Sequence, residues 1–187
     1  LCTNLHASQV GCIPGRSGAE HIEAITESFY SHSEASPPQS CYLLAVDLAK
    51  AFDSVSETFL QAAFAHFGAP VWAQQAVAAL HHDVTILIGP PSGPEGPQAV
   101  VKTTRGLKQG CPLSPLLFAI AMDPVLRRLN DQEGGLTTRG FVDDVIIETL
   151  VLARLAPAMT TMDEFGVVSG FKVNTAKTQL VTATPDT

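Results

Sequence analysis

The stretch GFVDDVII, residues 140–147, sets two carboxylates, Asp143 and Asp144, side by side in a run of branched and apolar residues. Uncompensated charge in a buried strand is costly, so few folds can hold this stretch. Successive strand residues point to opposite faces. At the tip of a tight hairpin, however, both acids could serve one site. Their repulsion would then raise a carboxyl's proton affinity unless a cation neutralised the pair. A third acid poses the same problem, because CYLLAVD, residues 41–47, ends an apolar strand on Asp47. Three carboxylates on neighbouring strands make a hard-oxygen site suited to Mg²⁺. Two such ions roughly 3.5–4 Å apart can activate a hydroxyl and stabilise a leaving pyrophosphate. On these residues alone, the Asp pair also reads as a plain turn between strands, since aspartate favours turns.

The rest of the pattern is α+β. Hydrophobic residues make up 45% of the 187 and charged residues 16%, enough apolar side chain to bury a core. Ser17-x-x-Glu20 is a capping-box pattern ahead of Ile22, Ile25 and Phe29 at helical spacing. Ser54-x-x-Glu57 repeats it ahead of Phe59, Leu60, Ala63, Phe64 and Phe67, and Gly68 and Pro70 close that helix. Ser114-Pro115 opens a third helix, which Pro124 is expected to kink or split. A fourth falls within 150–166. Strands are expected at 41–46, on both sides of the Asp pair and at 177–182. DVTILIG (83–89) and QAVVKTT (98–104) read as a hairpin around the loop GPPSGPEGP (89–97). No apolar run approaches the ~20 residues of a membrane span. Cys2, Cys12, Cys41 and Cys111 lie too far apart for a zinc pattern. His81, His82 and Asp83 are expected at a solvated helix end rather than at a metal.

DLAKAFDSV (47–55), TRGLKQGCPLSPLLF (104–118), FVDD (141–144) and SGFKVNTAKT (169–178) follow in this order, with GCIPGRSGAEHI (11–22) upstream. In these five segments the chain resembles the reverse transcriptase family, most of all the RNA-templated DNA polymerases of non-LTR retrotransposons. The resemblance runs from about residue 8 to 182. It implies a right-hand polymerase fold: fingers over about 1–40 and 71–104, and an antiparallel palm sheet with packed helices over about 41–70 and 105–187. On this resemblance the helical thumb is expected to lie beyond these segments. It implies an RNA template, a DNA primer and dNTPs as partners, and two Mg²⁺ ions, for which Mn²⁺ can substitute. Asp47 and Asp143 would be the main metal ligands, with the Leu48 carbonyl completing one sphere and Asp144 an auxiliary acid. Phe52 matches the steric gate that rejects a ribose 2′-hydroxyl by a built-in clash. Gln109 and Gly110 would line the nucleotide pocket. Lys177 would stand near the triphosphate or serve the palm structurally. For Arg16 a solvated surface role competes with a template or phosphate contact, and Asp53 reads as a cap or turn residue.

The chain also departs from the family. Valine stands second in FVDD, where alanine is usual. Cys12 and Ile13 replace the usual Phe and basic residue. Only about ten residues separate Asn130 from Phe141, so a palm strand is expected to be short or missing. The formal net charge of −7 is the wrong sign for a free-standing nucleic-acid binder. Both ends look cut, so the chain reads as a fragment that binds template–primer poorly and loses binding steeply with salt. The competing reading is an inactive relic or domesticated scaffold of the same fold. An RNA-dependent RNA polymerase is opposed by Phe52. A nuclear site of action follows from the resemblance alone, and the pattern leaves the oligomeric state open.

Overall fold

The computed structural model describes residues 2–36, 39–88, 99–131 and 135–183. A 3₁₀ turn, Cys2–Asn4, precedes helix α1 (Gly18–Ser33) and strand β1 (Cys41–Val46). Helices α2 (Ala51–Ser54), α3 (Glu57–His66) and α4 (Val71–His81) follow, then strands β2 (Val84–Ile88) and β3 (Ala99–Thr103). Helix α5 (Ser114–Asn130) leads to strands β4 (Thr137–Phe141) and β5 (Asp144–Thr149). A 3₁₀ turn, Leu152–Arg154, helix α6 (Leu155–Ser169) and strand β6 (Gln179–Ala183) complete the described elements. The main sheet runs β4-β5-β1-β6, every pairing antiparallel, while β2 and β3 form a separate hairpin.

Side-chain alternation sorts this sheet into two faces. Leu44 and Val46 of β1 and Val145 and Ile147 of β5 are buried on one face. Helix α5 covers it, with Phe118 to Met122 all within 1% of full burial. Consecutive residues buried all round mark a helix enclosed on every side, and α5 does lie among β4, α3 and α6. Phe118 anchors an aromatic stack through Phe52, 4.5 Å between centroids, and Phe171, 5.4 Å. Helix α1 stands on the opposite face, where Ser28 hydrogen-bonds Glu148 of β5.

Three expectations about helix ends need correction. The cap of α3 is Ser56, whose Oγ accepts from Phe59 N at 3.3 Å; Ser54 instead donates to the Ala51 carbonyl. Pro124 does not split α5, which runs unbroken through it, because burial on all sides outweighs the lost backbone bond. His81 is not solvated. It is 6% exposed with neither ring nitrogen hydrogen-bonded, and burial, then Lys108, holds its pKa below the ordinary value. His82 does reach solvent and pairs with Glu57 at 2.9 Å. Strand β4 is present with five residues, all paired to β5, despite the short segment before it. The expected 83–104 hairpin forms, in the register Val84↔Thr103 to Ile88↔Ala99; its loop, 89–97, lies outside the described residues. The helix Val71–His81 carries no capping pattern in the sequence, since its N-cap, Pro70, has no side-chain acceptor.

Candidate active site

The β1–β5 register builds the site. Val46 faces Val145, so the next step along both strands sets Asp47 beside Asp144. Phe141 pairs with Asp144 across a two-residue loop, Val142 and Asp143. The adjacent acids are thus the last residue of a tight turn and the first of the returning strand. Alternation puts Asp144 with Ile146 and Glu148 on the α1 face, as it puts Asp47 with Ala45 and Leu43.

Asp47 is tied to the chain after α6. Asn174 Nδ2 donates to Asp47 Oδ2 at 2.8 Å, and Asn174 N donates to Asp47 O at 2.8 Å. Asp47 N donates to Thr178 Oγ1 at 3.3 Å, and that hydroxyl donates to Asn174 O at 3.0 Å. Leu48, just beyond, is buried and bridged to Val173. Asp47, Asp144 and Lys177 line one cavity of about 440 Å³ between the sheet and α1, together with His21, Ile22 and Arg139.

Burial, and next the charges of Asp143 and Asp47, push the Asp144 carboxyl above its ordinary value near 3.8. The folded state then binds this proton more tightly than the unfolded chain. Stability contributed by protonated Asp144 is present at low pH and is lost as pH rises through the raised value. Asp144→Asn is therefore expected to raise the thermal midpoint at neutral pH, with the gain shrinking on acidification towards pH 4. Thermal unfolding of both proteins across that range checks this; a variant less stable than wild type at pH 7 contradicts it.

A second cavity, about 370 Å³, brings Phe52, Gln109 and Gly110 together. Leu107 N donates to Phe52 O at 2.7 Å, Gly106 N to Val55 O at 2.8 Å, and Gln109 Nε2 to Asp53 Oδ1 at 3.2 Å. These bonds zip the 106–109 loop onto α2. Asp53 thus holds Gln109 and does not join the carboxylates. A neighbouring groove of about 770 Å³ carries Lys102, Arg105 and Lys108. Arg16 is half-buried, and its guanidinium donates to the carbonyls of Leu5 (2.7 Å), His6 (2.5 Å) and Gln9 (2.6 Å). Lys177 lies with Asp47, away from Phe52 and Gln109.

Three residues escaped sequence reasoning. Asn174 and Thr178 sit inside SGFKVNTAKT but were not singled out. Gln9, which bonds the FVDD turn, has no periodic signal at all.

The donors at the three aspartates are hard oxygens of the type Mg²⁺ and Mn²⁺ take. The repulsion recorded at Asp144 is what a cation would relieve. Among the described residues, no three His, Cys, Asp or Glu side chains converge on one point; a shared cavity is shown for Asp47 and Asp144. No described helix is long and apolar enough to cross a membrane.

The architecture is the fingers–palm fold of a templated polymerase. It superposes on telomerase from Candida tropicalis solved with a fragment of telomeric RNA, with a TM-score of 0.74 at 17% identity over 95% of this chain and 30% of that one. Apo telomerase from the same organism, truncated of its C-terminal domain, gives 0.69 at 17% identity over 94% of this chain and 36% of that one. The family model "Reverse transcriptase (RNA-dependent DNA polymerase)" matches residues 1–186, and the chain belongs to that family. It is 28% identical over 145 residues to the Pol polyprotein of the Drosophila melanogaster retrotransposable element R2DM, covering 74% of this chain and 13% of the polyprotein. It is 24% identical over 186 residues to the transposon TX1 149 kDa protein of Xenopus laevis, covering 95% of this chain and 14% of that protein. The chain therefore spans a small part of these relatives' length.

Proposed function

We propose that the chain is the catalytic core of an RNA-directed DNA polymerase from a non-LTR retroelement, adding dNTPs to a primer 3′-hydroxyl. The observation that carries this reading is the β1–β5 register, which sets Asp47 beside the Asp143–Asp144 turn at one end of an antiparallel sheet. In this reading the fingers comprise about 1–40 and 71–104 and the palm the rest. The RNA template and DNA primer lie across the sheet end, and Asp47 and Asp143 hold two Mg²⁺ ions, or Mn²⁺, with the Leu48 carbonyl. Bound there, these ions supply acidification of the 3′-hydroxyl and charge neutralisation on the departing pyrophosphate. Asn174 and Thr178 keep Asp47 from swinging, so less orientation is left to achieve on substrate binding. Asp144, with its raised proton affinity, stands beside the primer end as an auxiliary acid. Lys177 shares the Asp47 cavity as a cation available to phosphate oxygens.

Gln109 and Gly110 line the nucleotide pocket against Phe52. The Phe52 ring is braced face-on by Phe118, which stops it from rotating away from a ribose 2′-hydroxyl. Phe52→Val is expected to lower the preference for dNTP over rNTP by roughly 10- to 100-fold, the range a hydrophobic pocket can supply. The ratio of the two kcat/KM values measures this independently of how much enzyme is folded. An unchanged ratio removes Phe52 from the gate.

The deciding experiment is primer extension on an RNA template with Mg²⁺ or Mn²⁺. It uses low salt, where contacts between Lys or Arg side chains and phosphates are strongest, with Asp143→Asn alongside. Extension by the wild type and not by the variant supports the reading. Wild-type protein that binds template–primer but never extends it would point instead to a non-catalytic scaffold.

A further inference from the structure

Gln9 is completely buried, at 0% exposure, and its side-chain amide is spent on the turn that carries the aspartates. Oε1 accepts from Val142 N at 3.1 Å and from Gly11 N at 3.1 Å, while Nε2 donates to Val142 O at 3.2 Å. One side chain thus takes both the backbone donor and the backbone acceptor of the residue before Asp143. The turn needs such a hold. Val142 has φ 57°, a left-handed conformation that a β-branched residue rarely adopts. At the first position of a two-residue hairpin turn with positive φ there, glycine is the usual choice.

The support for Gln9 is itself built in. Val10 N donates to Gly140 O at 3.0 Å, and Gly140 N donates to Ser8 O at 2.7 Å. Residues 8–10 therefore run along the end of β4. Arg16 gathers the Leu5, His6 and Gln9 carbonyls. The Asp123 carboxylate of α5, 1% exposed, accepts from His6 N at 2.5 Å and Arg127 Nε at 2.5 Å. Asn130 donates to Ser8 Oγ at 3.0 Å and accepts from Thr138 N at 3.0 Å. Gly11 permits the close approach, since a Cβ there would lie 2.3 Å from Val142 N and 2.6 Å from Val142 Cγ2.

We infer that Gln9 is a positioning residue for Asp143 and Asp144, acting through the two peptide groups of Val142 and holding the carboxylates in the orientation that receives the divalent cation. The consequence for catalysis rests on the polymerase reading above; the clamp itself does not. Residues that orient metal ligands typically cost 10- to 100-fold in metal affinity or activity when removed.

The test compares wild type, Gln9→Glu and Gln9→Met by three measurements. In the wild type, the Val142 amide is expected to resist hydrogen exchange as β5 amides do; a freely exchanging amide overturns the proposal without any variant. Glutamate at position 9 still accepts from both amides but cannot donate to Val142 O. Methionine has similar length and makes none of the three bonds. Mn²⁺ affinity, followed by paramagnetic broadening at Asp143 and Asp144, is expected to fall about 10- to 100-fold in Gln9→Met and less in Gln9→Glu. Primer extension is expected to lose kcat with little change in KM for dNTP. Loss of Val142 protection with unchanged Mn²⁺ affinity overturns the positioning role. If Gln9→Met does not fold, the wild-type exchange and Gln9→Glu still decide. If the wild type binds Mn²⁺ but extends no primer, the polymerase reading fails while exchange and Mn²⁺ affinity continue to judge the clamp.

Discussion

Asp143→Asn is expected to reduce primer extension on RNA by about a thousandfold while leaving the fold and its thermal midpoint intact. A bound cation at such a site stabilises transition-state charge by several kcal/mol, and each ~1.4 kcal/mol is a factor of ten in rate. Asparagine keeps the side chain's shape but removes the charge that holds the ion. Asp143 lies in the turn and not in the core packed around α5, so no hydrophobic contact is lost. The variant also removes one of the charges that crowd Asp144, which argues against destabilisation. Single-turnover extension with matched circular dichroism separates the two effects. Activity within tenfold of wild type would remove Asp143 from the chemistry, and a collapsed fold would show that the turn charge is structural.

Gly170→Ala is the largest stability effect expected from one methyl group. Gly170 ends α6 with φ 86°, and its N–H closes the helix on Gly166 O at 3.0 Å. An added Cβ would lie 2.2 Å from Ser54 O and 3.2 Å from Ser56 N. The left-handed backbone costs about 1–2 kcal/mol with a side chain, and forced overpacking about 1–3 kcal/mol. At roughly 2–4 °C per kcal/mol for a chain of this size, a combined ~3 kcal/mol lowers the midpoint by about 6–12 °C. Gly68→Ala is the control: φ there is 78°, but nothing lies within 4 Å of the added Cβ, so it carries the backbone cost alone. Equal midpoints for the two variants would mean that the α2–α6 junction yields without strain. The junction matters for function because Ser56 N is held by Ser169 O at 2.7 Å. The chain then continues through Phe171, stacked on Phe165, to Asn174, which holds Asp47.

What could be read in the sequence was local. The apolar runs CYLLAV and VIIE marked the two central strands, while the faces they bury emerged from the register. The adjacency of the two aspartates between apolar runs anticipated a hairpin tip, and the order of five segments anticipated the reverse transcriptase family whose model matches residues 1–186. Resemblance groups Phe52, Gln109, Gly110 and Lys177 at the nucleotide; the first three line one cavity, while Lys177 lines the cavity of Asp47 instead. Helix ends were less legible: the capping-box pattern picks Ser54, whereas the cap is Ser56, whose backbone N–H also bonds Ser169 O at the end of α6. Pro124 reads as a break until α5 is known to be enclosed on all sides.

The sequence by itself determined which residues carry the acids, which faces are apolar and where the chain must turn, because hydrophobic period and turn chemistry act over a few residues. The tertiary structure alone decided what holds those acids. Gln9 reaches Val142 across 133 positions and Asn174 reaches Asp47 across 127. His81 is buried at the end of α4, where linear spacing predicts a solvated side chain. Such contacts depend on three-dimensional register, and nothing in the one-dimensional spacing of residues encodes a hydrogen bond between groups that only the folded sheet brings into reach.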